Sequence, residues 1–407
     1  MLVATIETFF NSKSKKMKER KLKKALLALS VSLLCNLTQA QDNRCDVPDI
    51  GILQPHEFKT KTSFTNIWQG ALGGINTKNS DRIIGLYDFD LYYLLSAESA
   101  KEVGCDYTLI VASLQSSFGH GLRDSKVGSF FEINDAAKGD NVLIDKLYVE
   151  FTAFDRLLTL DIGKIEIKDL FDSSTVAHCE KSQFLAEPFV HNLAVPWPKH
   201  GLGARVLWEP SDYVYAQAAI GDAQADKREI GFRTAFHNED AFFSIAEVGV
   251  RPNFLNLPGT YRFIMWYDPQ AKSYLDDSSS IKRDDLGFAV SFDQKMNQKT
   301  TAFFRYGWAD DKVNELENFI SFGGQVEGLI EGRERDIFAM GYIRGNRSSD
   351  GLLSQDERQI DLIEAYYNIK VNDNLSIAPN VQFVMNPGGL KDESAATVFG
   401  VRCRYKF

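Results

Sequence analysis

Apolar and basic positions alternate strictly at the end of the chain. From Phe399 to Phe407 every odd position is apolar or aromatic, and the cations Arg402, Arg404 and Lys406 lie between them. Successive side chains of a strand point to opposite faces, so this pattern predicts a strand with one apolar and one basic face. Such a strand suits a membrane barrel, whose outer face meets lipid while its inner face meets water.

Similar alternation recurs from about residue 60 onward. The segments it predicts as strands are 84–94, 107–114, 143–154, 203–208, 213–220, 231–236, 261–267, 286–292, 301–308, 337–344, 359–369 and 375–386. Short turns are predicted at 209–212, 237–240 and 372–374, and longer charged loops at 269–283, 310–318, 346–358 and 387–394. Alternating short and long connections are typical of the periplasmic turns and extracellular loops of an outer-membrane barrel.

The fold class expected is all-β, a transmembrane antiparallel β-barrel of about 16 strands of roughly 9–11 residues each. The candidate strands exceed that number by one, which indicates an error of interpretation near residues 242–267. No later segment is long and apolar enough to be a spanning helix, and only helices or closed barrels satisfy their backbone groups in lipid.

The start of the chain has the pattern of an export signal. Residues 13–24 are rich in Lys and Arg, residues 25–35 are apolar, and Thr38, Gln39 and Ala40 offer a cleavage site. This predicts a signal peptide over 1–40, with Met17 as an alternative start. A short periplasmic segment over 41–59 and the barrel over 60–407 would follow.

Composition and net charge exclude fewer classes of protein than the alternation of apolar and polar residues does. The chain is 44% hydrophobic, 12% aromatic and 25% charged, values that a large soluble enzyme would also have. A net charge of −9 argues against a nucleic-acid partner.

After cleavage, Cys45, Cys105, Cys179 and Cys403 would enter an oxidising periplasm. Cys403 is expected to be unpaired and to face lipid; a Cys45–Cys105 bridge is allowed, and the pairing stays open.

Candidate functional residues follow from the inward positions of the alternation. An arginine or lysine on the lipid face costs roughly 2–4 kcal/mol at mid-membrane, so the charges are expected inside. Such charges either pair along the barrel wall or form a constriction that hydrogen-bonds passing solutes. The residues expected to line the pore or contact substrate are Tyr148, Glu150, Asp161, Trp197, Arg205, Arg233, Glu364, Gln382 and Arg402.

The longest stretch without strand alternation after the signal is 168–199, which contains Trp197. A loop this long is usually functional or disordered. Folded inward, it would constrict the lumen; the alternative is a surface loop that closes the external mouth.

The six His residues include no metal pair at helical spacing, and the sequence has neither a Gly-x-Ser-x-Gly elbow nor a phosphate loop. No enzyme, metal or cofactor is therefore expected.

Residues 362–389 carry a family resemblance. They resemble the carbohydrate-selective porin family (OprB-type) in a Glu-x-x-Tyr strand, a Leu-Ser-x-x-Pro turn-to-strand, and a Gln-aromatic-x-x-Asn-Pro-Gly-Gly segment. The matching residues are Glu364, Tyr367, Pro379, Gln382, Asn386, Pro387, Gly388 and Gly389, followed by Val398, Gly400 and Arg402. Weaker similarity lies at 147–150, 160–164, 201–215 and 257–267, whereas 168–199 departs from the family.

The resemblance implies a 16-stranded outer-membrane barrel that passes monosaccharides, glucose in particular, by facilitated diffusion. Arg and carboxylate side chains would hydrogen-bond sugar hydroxyls, and Tyr148 and Trp197 would offer flat faces to the sugar. The expected partners are carbohydrate solutes, outer-membrane lipid and the barrel-assembly machinery, the last through Phe407. The alternatives are a general or ion-selective porin, an outer-membrane barrel enzyme and a plugged structural barrel. The permeant sugar and the oligomeric state stay open.

Overall fold

The structure is a computed structural model that describes residues 56–75, 80–95, 106–235, 241–350, 358–389 and 394–407. The predicted signal peptide, the alternative start at Met17, most of the 41–59 segment, and Cys45 and Cys105 lie outside these residues. Within the described ranges, no helix is both long and apolar enough to cross a membrane.

Sixteen long strands form one antiparallel sheet. They are β1 (Phe58–Gly73), β2 (Ser80–Leu94), β3 (Tyr107–Phe118), β4 (Asn141–Ala153), β5 (Leu158–Ile165), β6 (Gly201–Ser211), β7 (Val214–Asp222), β8 (Phe242–Val250), β9 (Leu257–Asp268), β10 (Asp285–Lys295), β11 (Thr300–Ala309), β12 (Leu316–Glu327), β13 (Ile337–Arg347), β14 (Gln359–Lys370), β15 (Leu375–Met385) and β16 (Ala396–Lys406). Two-residue strands also occur at Asn253–Phe254, Lys272–Ser273 and Ile281–Lys282.

The sheet closes on itself. Strand β1 pairs with β2 on one side and with β16 on the other, in a register that runs from Ser63 opposite Lys406 to Gly73 opposite Ala396. Closure leaves no sheet edge, as lipid requires of a spanning sheet. The prediction of a closed antiparallel barrel of about 16 strands is confirmed.

Connections differ in length at the two ends of the barrel. The connections 154–157, 212–213, 251–256, 296–299 and 371–374 are short and lie at one end, together with the start of β1 and the end of β16. The connections 119–140, 166–200, 223–241, 269–284 and 348–358 lie at the other end and are longer. The predicted alternation of short turns and longer loops holds for these connections, whereas 95–106 at the first end is longer than 74–79 and 310–315 at the second.

The predicted strand over 231–236 is wrong. The error was expected near residues 242–267, but two long strands, β8 and β9, form there. Residues 231–235 form turns in the connection between β7 and β8, where the Ala235 N–H donates to the Gly231 carbonyl at 3.0 Å. Gly231 has φ of +116°, which breaks an extended run that the local alternation had suggested. The predicted turn at 237–240 lies outside the described residues.

Inward and outward faces follow the sequence period. In β16, Phe399, Val401 and Cys403 are exposed on the outside, whereas Arg402 and Arg404 are buried inside. Cys403 is a free thiol, as expected, and Cys179 is disulfide-bonded. The alternation therefore predicts correctly which side of the wall each of these residues occupies.

The loop between β5 and β6 (residues 166–200, called the lumen loop) folds into the barrel. It carries two single-turn helices, Ile167–Leu170 and Glu187–Val190. Its apolar side chains, including Phe171, Phe184 and Phe189, pack against inward residues of β7 to β16 such as Phe303 and Phe319. The β3–β4 loop (119–140), with a π-helical turn at Arg123–Val127, joins the same core. The part of the lumen beside β7 to β16 is therefore filled with an apolar core.

Candidate functional site

Arg305 of β11 is the central anchor of the lumen loop. Its guanidinium is completely buried and donates to the carbonyls of Phe189 at 2.5 Å, Asp172 at 2.9 Å and Ala177 at 2.5 Å. The Asp172 carboxylate lies 2.8 Å from its Nε. One fixed planar cation thus holds three separate points of the loop backbone against the wall.

Glu364 and Gln382, both expected to line the pore, are fully buried anchors instead. Glu364 of β14 accepts the backbone N–H groups of Leu185 at 2.7 Å and Ala186 at 2.9 Å. Gln382 of β15 donates to Glu364 at 3.0 Å and to the Ile133 carbonyl of the β3–β4 loop at 2.8 Å. Both side chains point inward as predicted, but loop backbone covers them, which removes them from contact with a solute.

Arg402 of β16 has the same role on the neighbouring part of the loop. It donates to the carbonyls of Glu180 at 2.8 Å and Gln183 at 2.6 Å, and its guanidinium lies 5.7 Å from the centre of the Tyr366 ring. Only 3% of Arg402 is exposed. The expectation that it contacts substrate is therefore corrected to a role in positioning the loop.

The β3–β4 loop and the lumen loop are joined by backbone hydrogen bonds. The Asp135 N–H donates to the Leu185 carbonyl at 2.8 Å, and the Glu187 N–H donates to the Glu132 carbonyl at 3.0 Å. The Glu187 carboxylate accepts the Glu132 N–H at 3.1 Å. Burial, opposed by Arg123 and reinforced by the Glu187 charge, raises the pKa of Glu132 to about 7.

A polar cavity of about 290 Å³ remains between the lumen loop, the β3–β4 loop and the wall formed by β2, β3, β4 and β6. We call it the polar passage. Eight carboxylates and five Lys or Arg side chains line it. The carboxylates are Asp88, Asp90, Asp135, Asp145, Glu150, Glu166, Asp169 and Glu180, and the cations are Lys138, Lys146, Lys168, Lys181 and Arg205.

Two tyrosines lie on one cross-strand row of this wall. Strand register places Tyr92 opposite Val111, Val111 opposite Tyr148, and Tyr148 opposite Gly163. Gly163 has φ of +144°, and a Cβ there would lie 2.7 Å from the Cα of Tyr148. Only glycine fits this close approach beside the Tyr148 residue.

The adjacent row carries the polar groups. Glu150, Asp161 and Arg205 are successive register partners on β4, β5 and β6. Arg205 donates to Asp161 at 2.8 Å, and Glu150 accepts the Tyr107 hydroxyl at 2.9 Å. Of the residues predicted from the sequence, Tyr148, Glu150 and Arg205 meet at the passage, with Asp161 directly behind Arg205.

Trp197 and Arg233 lie elsewhere. Trp197 packs against the apolar core of the lumen loop, and its indole N–H donates to the Asn192 carbonyl at 2.9 Å. Arg233 belongs to the β7–β8 connection, where its side chain is 80% exposed and lies 3.4 Å from Glu229. The expectation that Arg233 faces the lumen depended on a strand that does not form, so a contact of Arg233 with a solute stays a prediction.

The residues of β2 that line the polar passage were not predicted from the sequence. Asp88, Asp90 and Tyr92 occupy alternate positions of the predicted strand 84–94 and face the passage. Period-two alternation of polar residues within that strand was a signal that could have identified them. Lys181 of the lumen loop, 3.0 Å from Asp88, had no such local signal.

A buried charge cluster closes the base of the lumen loop. His200, at its end, lies 2.6 Å from Glu166 at its beginning and 2.7 Å from Asp145 of β4. Burial opposes protonation, but Glu166 and Asp145 outweigh it and raise the pKa of His200 to about 9. These three residues have ligand atoms close enough for a metal. However, Lys168 lies 3.2 Å from Glu166, so an imidazolium between two carboxylates accounts for the cluster.

Comparison with known proteins identifies a family of porins to which the chain is similar. Residues 87–407 match the sequence profile of the family described as "Carbohydrate-selective porin, OprB family". Porin B of Pseudomonas aeruginosa is 18% identical over 336 residues, which cover 70% of this chain and 73% of that porin. Porin AaxA of Chlamydia abortus is 20% identical over 294 residues and 69% of this chain.

The chain spans 61% of the length of the Chlamydia abortus porin. Among solved structures, the one titled "High pH structure of Pseudomonas putida OprB" has a TM-score of 0.74 at 16% identity. The alignment covers 86% of this chain and 94% of that chain. At this identity the likeness establishes the barrel fold.

Proposed function

The chain belongs to the carbohydrate-selective porin (OprB) family of bacterial outer membranes, and from that premise we propose that it passes monosaccharides such as glucose by facilitated diffusion. Family and fold indicate a channel rather than an enzyme. The sugar would travel through the polar passage while the lumen loop narrows the barrel.

One observation carries this proposal: tyrosine faces and hydrogen-bonding charges line the same wall. Tyr92 and Tyr148 offer flat apolar surfaces, and the adjacent row offers Glu150 and Arg205 as acceptor and donor. A sugar presents C–H faces and hydroxyl edges at once, so both kinds of group can bind it. Several weak contacts suit transport, because a solute must enter readily and still leave.

The direct test is swelling of liposomes that contain the refolded protein, with glucose compared with neutral amino acids of similar size. We expect faster swelling with glucose, and we expect Tyr92→Ala with Tyr148→Ala to reduce that preference. Tyr213→Ala, which removes an exposed tyrosine at a short turn, is the matched control. Equal rates for sugar and amino acid would instead favour a general porin, and absence of swelling would favour a plugged barrel.

Assembly in the membrane is part of the same proposal. Phe407 is exposed, and its backbone N–H donates to the Thr62 carbonyl of β1 at 2.9 Å, beside the seam that closes the barrel. We propose that the barrel-assembly machinery recognises this terminal aromatic residue. Phe407→Ala should then slow membrane assembly in cells while leaving refolding into detergent unchanged.

A further inference from the structure

Most charges along the polar passage are already matched by an opposite charge. Lys181 lies 3.0 Å from Asp88, and Arg205 lies 2.8 Å from Asp161. Lys146 pairs with Asp169, and Lys168 lies 3.2 Å from Glu166. The cations of this wall are therefore held by carboxylates next to them.

Asp90 and Glu150 differ from these carboxylates. Among the described residues, neither has a Lys, Arg or His nitrogen within 4.0 Å, the limit of an ion pair. Lys146 and Lys181 act on Asp90 from farther away. Lys61, the register partner of Asp90 on β1, has its ammonium 5.9 Å from the centre of the Tyr92 ring. Asp90 accepts the Ser113 hydroxyl, and Glu150 accepts the Tyr107 hydroxyl. A carboxylate offers about four acceptor sites, so a single hydroxyl leaves most of this capacity open to the lumen.

A third acceptor lies on the same row as Glu150. Asp161 is 1% exposed, and its Oδ2 accepts from Arg205, whereas its Oδ1 accepts no hydrogen bond from the described part of the chain. Buried acceptors in folded proteins are nearly always hydrogen-bonded to protein or to ordered water, so water or a solute has to satisfy this oxygen. This observation is independent of the absence of ion-pair partners at Asp90 and Glu150.

The tyrosine row lies between the two carboxylates. Asp90 is two residues before Tyr92 on β2, and Glu150 is two residues after Tyr148 on β4, so all four side chains face the lumen. Aromatic faces attract ammonium groups, and carboxylates attract them more strongly. The cavity of about 290 Å³ is close to the lower size of small-molecule pockets, about 300 Å³.

We propose that the polar passage selects sugars that carry a protonated amine over their neutral parents, with Asp90 and Glu150 recognising the ammonium and Tyr92 and Tyr148 contacting the ring. This inference rests on the proposed function and adds a substrate class to it. Amino sugars satisfy both parts of the wall, because one molecule brings hydroxyls and a cation. Sugars that carry a carboxylate meet the same wall as like charges and are disfavoured.

The test compares glucosamine, glucose and glucuronate in the liposome assay at pH 7 and low ionic strength. An ammonium about 5 Å from a carboxylate in an aqueous lumen gains enough Coulomb energy for roughly a threefold preference or more. We expect swelling in the order glucosamine, glucose, glucuronate. High salt should compress the differences by screening.

Substitutions test whether Asp90 and Glu150 cause the preference for glucosamine over glucose. Asp90→Asn combined with Glu150→Gln should bring the glucosamine-to-glucose ratio close to one, whatever the absolute rate for glucose. Glu209→Gln combined with Asp373→Asn removes the same charge from the short-turn end of the barrel and should leave the ratio unchanged. The reversal potential in a KCl gradient gives a second readout, which should lose cation preference only in the passage variant.

The two proposals fail in distinguishable ways. A wild-type protein that passes glucose and glucosamine at equal rates would overturn the amino-sugar inference and leave sugar transport standing. An equal ratio in the passage variant and in the wild type would overturn the assignment to Asp90 and Glu150. Failure of every sugar to enter would reject the proposed function itself, and the inference with it.

Discussion

Replacing Arg305 by methionine should release the lumen loop without opening the barrel. Arg305 contacts Phe189, Ala177 and Asp172 at once, so it joins both halves of the loop to β11. Methionine keeps much of the length and apolar surface of the side chain but supplies no donor. The loop carbonyls and the Asp172 carboxylate would then be left without this partner.

The expected magnitude follows from the burial of the pair. Removing one partner of a buried ion pair costs about 3–5 kcal/mol, because the remaining charge stays uncompensated. At about 1.4 kcal/mol for each factor of ten, this shifts the ratio of docked to undocked loop by roughly a hundredfold to several thousandfold. Glu364 and Arg402 still hold other parts of the loop, so we expect partial release.

Single-channel recording in planar bilayers would detect such release. We expect Arg305→Met to show larger mean conductance and greater open-channel noise than the wild type. Arg335→Met is the matched control: it removes an arginine from an exposed pair with Asp373, and such pairs contribute about 0–1 kcal/mol. The heat-dependent gel mobility of the barrel confirms folding of each variant. Unchanged conductance and noise in folded Arg305→Met would refute the idea that this residue anchors the loop.

Two further predictions concern the base of the loop and the tyrosine row. The pKa of His200 rises from about 6.5 to about 9 in the fold, so its contribution is complete below pH 6.5 and is lost as pH rises through 9. Open-channel noise should therefore increase between about pH 8 and 10 in the wild type but be pH-independent in His200→Gln; a flat wild-type profile would contradict this. Gly163→Ala should destabilise the barrel by about 1–3 kcal/mol through its backbone conformation, with a further clash against Leu147 and Tyr148. Gly332→Ala, also at positive φ but with open space around it, should have the smaller effect on the unfolding midpoint in denaturant.

The barrel wall could be predicted because its information is local. Whether Cys403 faces lipid and Arg402 faces inward depends on a period of two within one strand, which needs no knowledge of distant residues. The same locality produced the wrong strand over 231–236, because a short alternating run there forms turns from Gly231 onward. Local alternation alone does not distinguish such a run from a strand.

The lumen could be predicted only in part, because its contacts are distant in sequence. Glu364 binds the N–H of Leu185, which is 179 residues away in the chain. The family motif drew attention to Glu364 and Gln382, but a motif does not say whether a residue meets a solute or a loop. Tyr148 and Glu150 were placed correctly because their environment is set by the neighbouring strands, whose register follows from the closed sheet.

The apolar core between the lumen loop and β7 to β16 gives this membrane protein two different thermodynamic regimes. Its outer surface is in contact with lipid, whereas Phe171, Phe184 and Phe189 are covered by protein when the loop docks from the aqueous lumen. Removal of apolar surface from water is entropy-driven near 25 °C and weakens on cooling. We therefore expect docking of the lumen loop, and with it the width of the channel, to depend on temperature as burial of a soluble protein's core does.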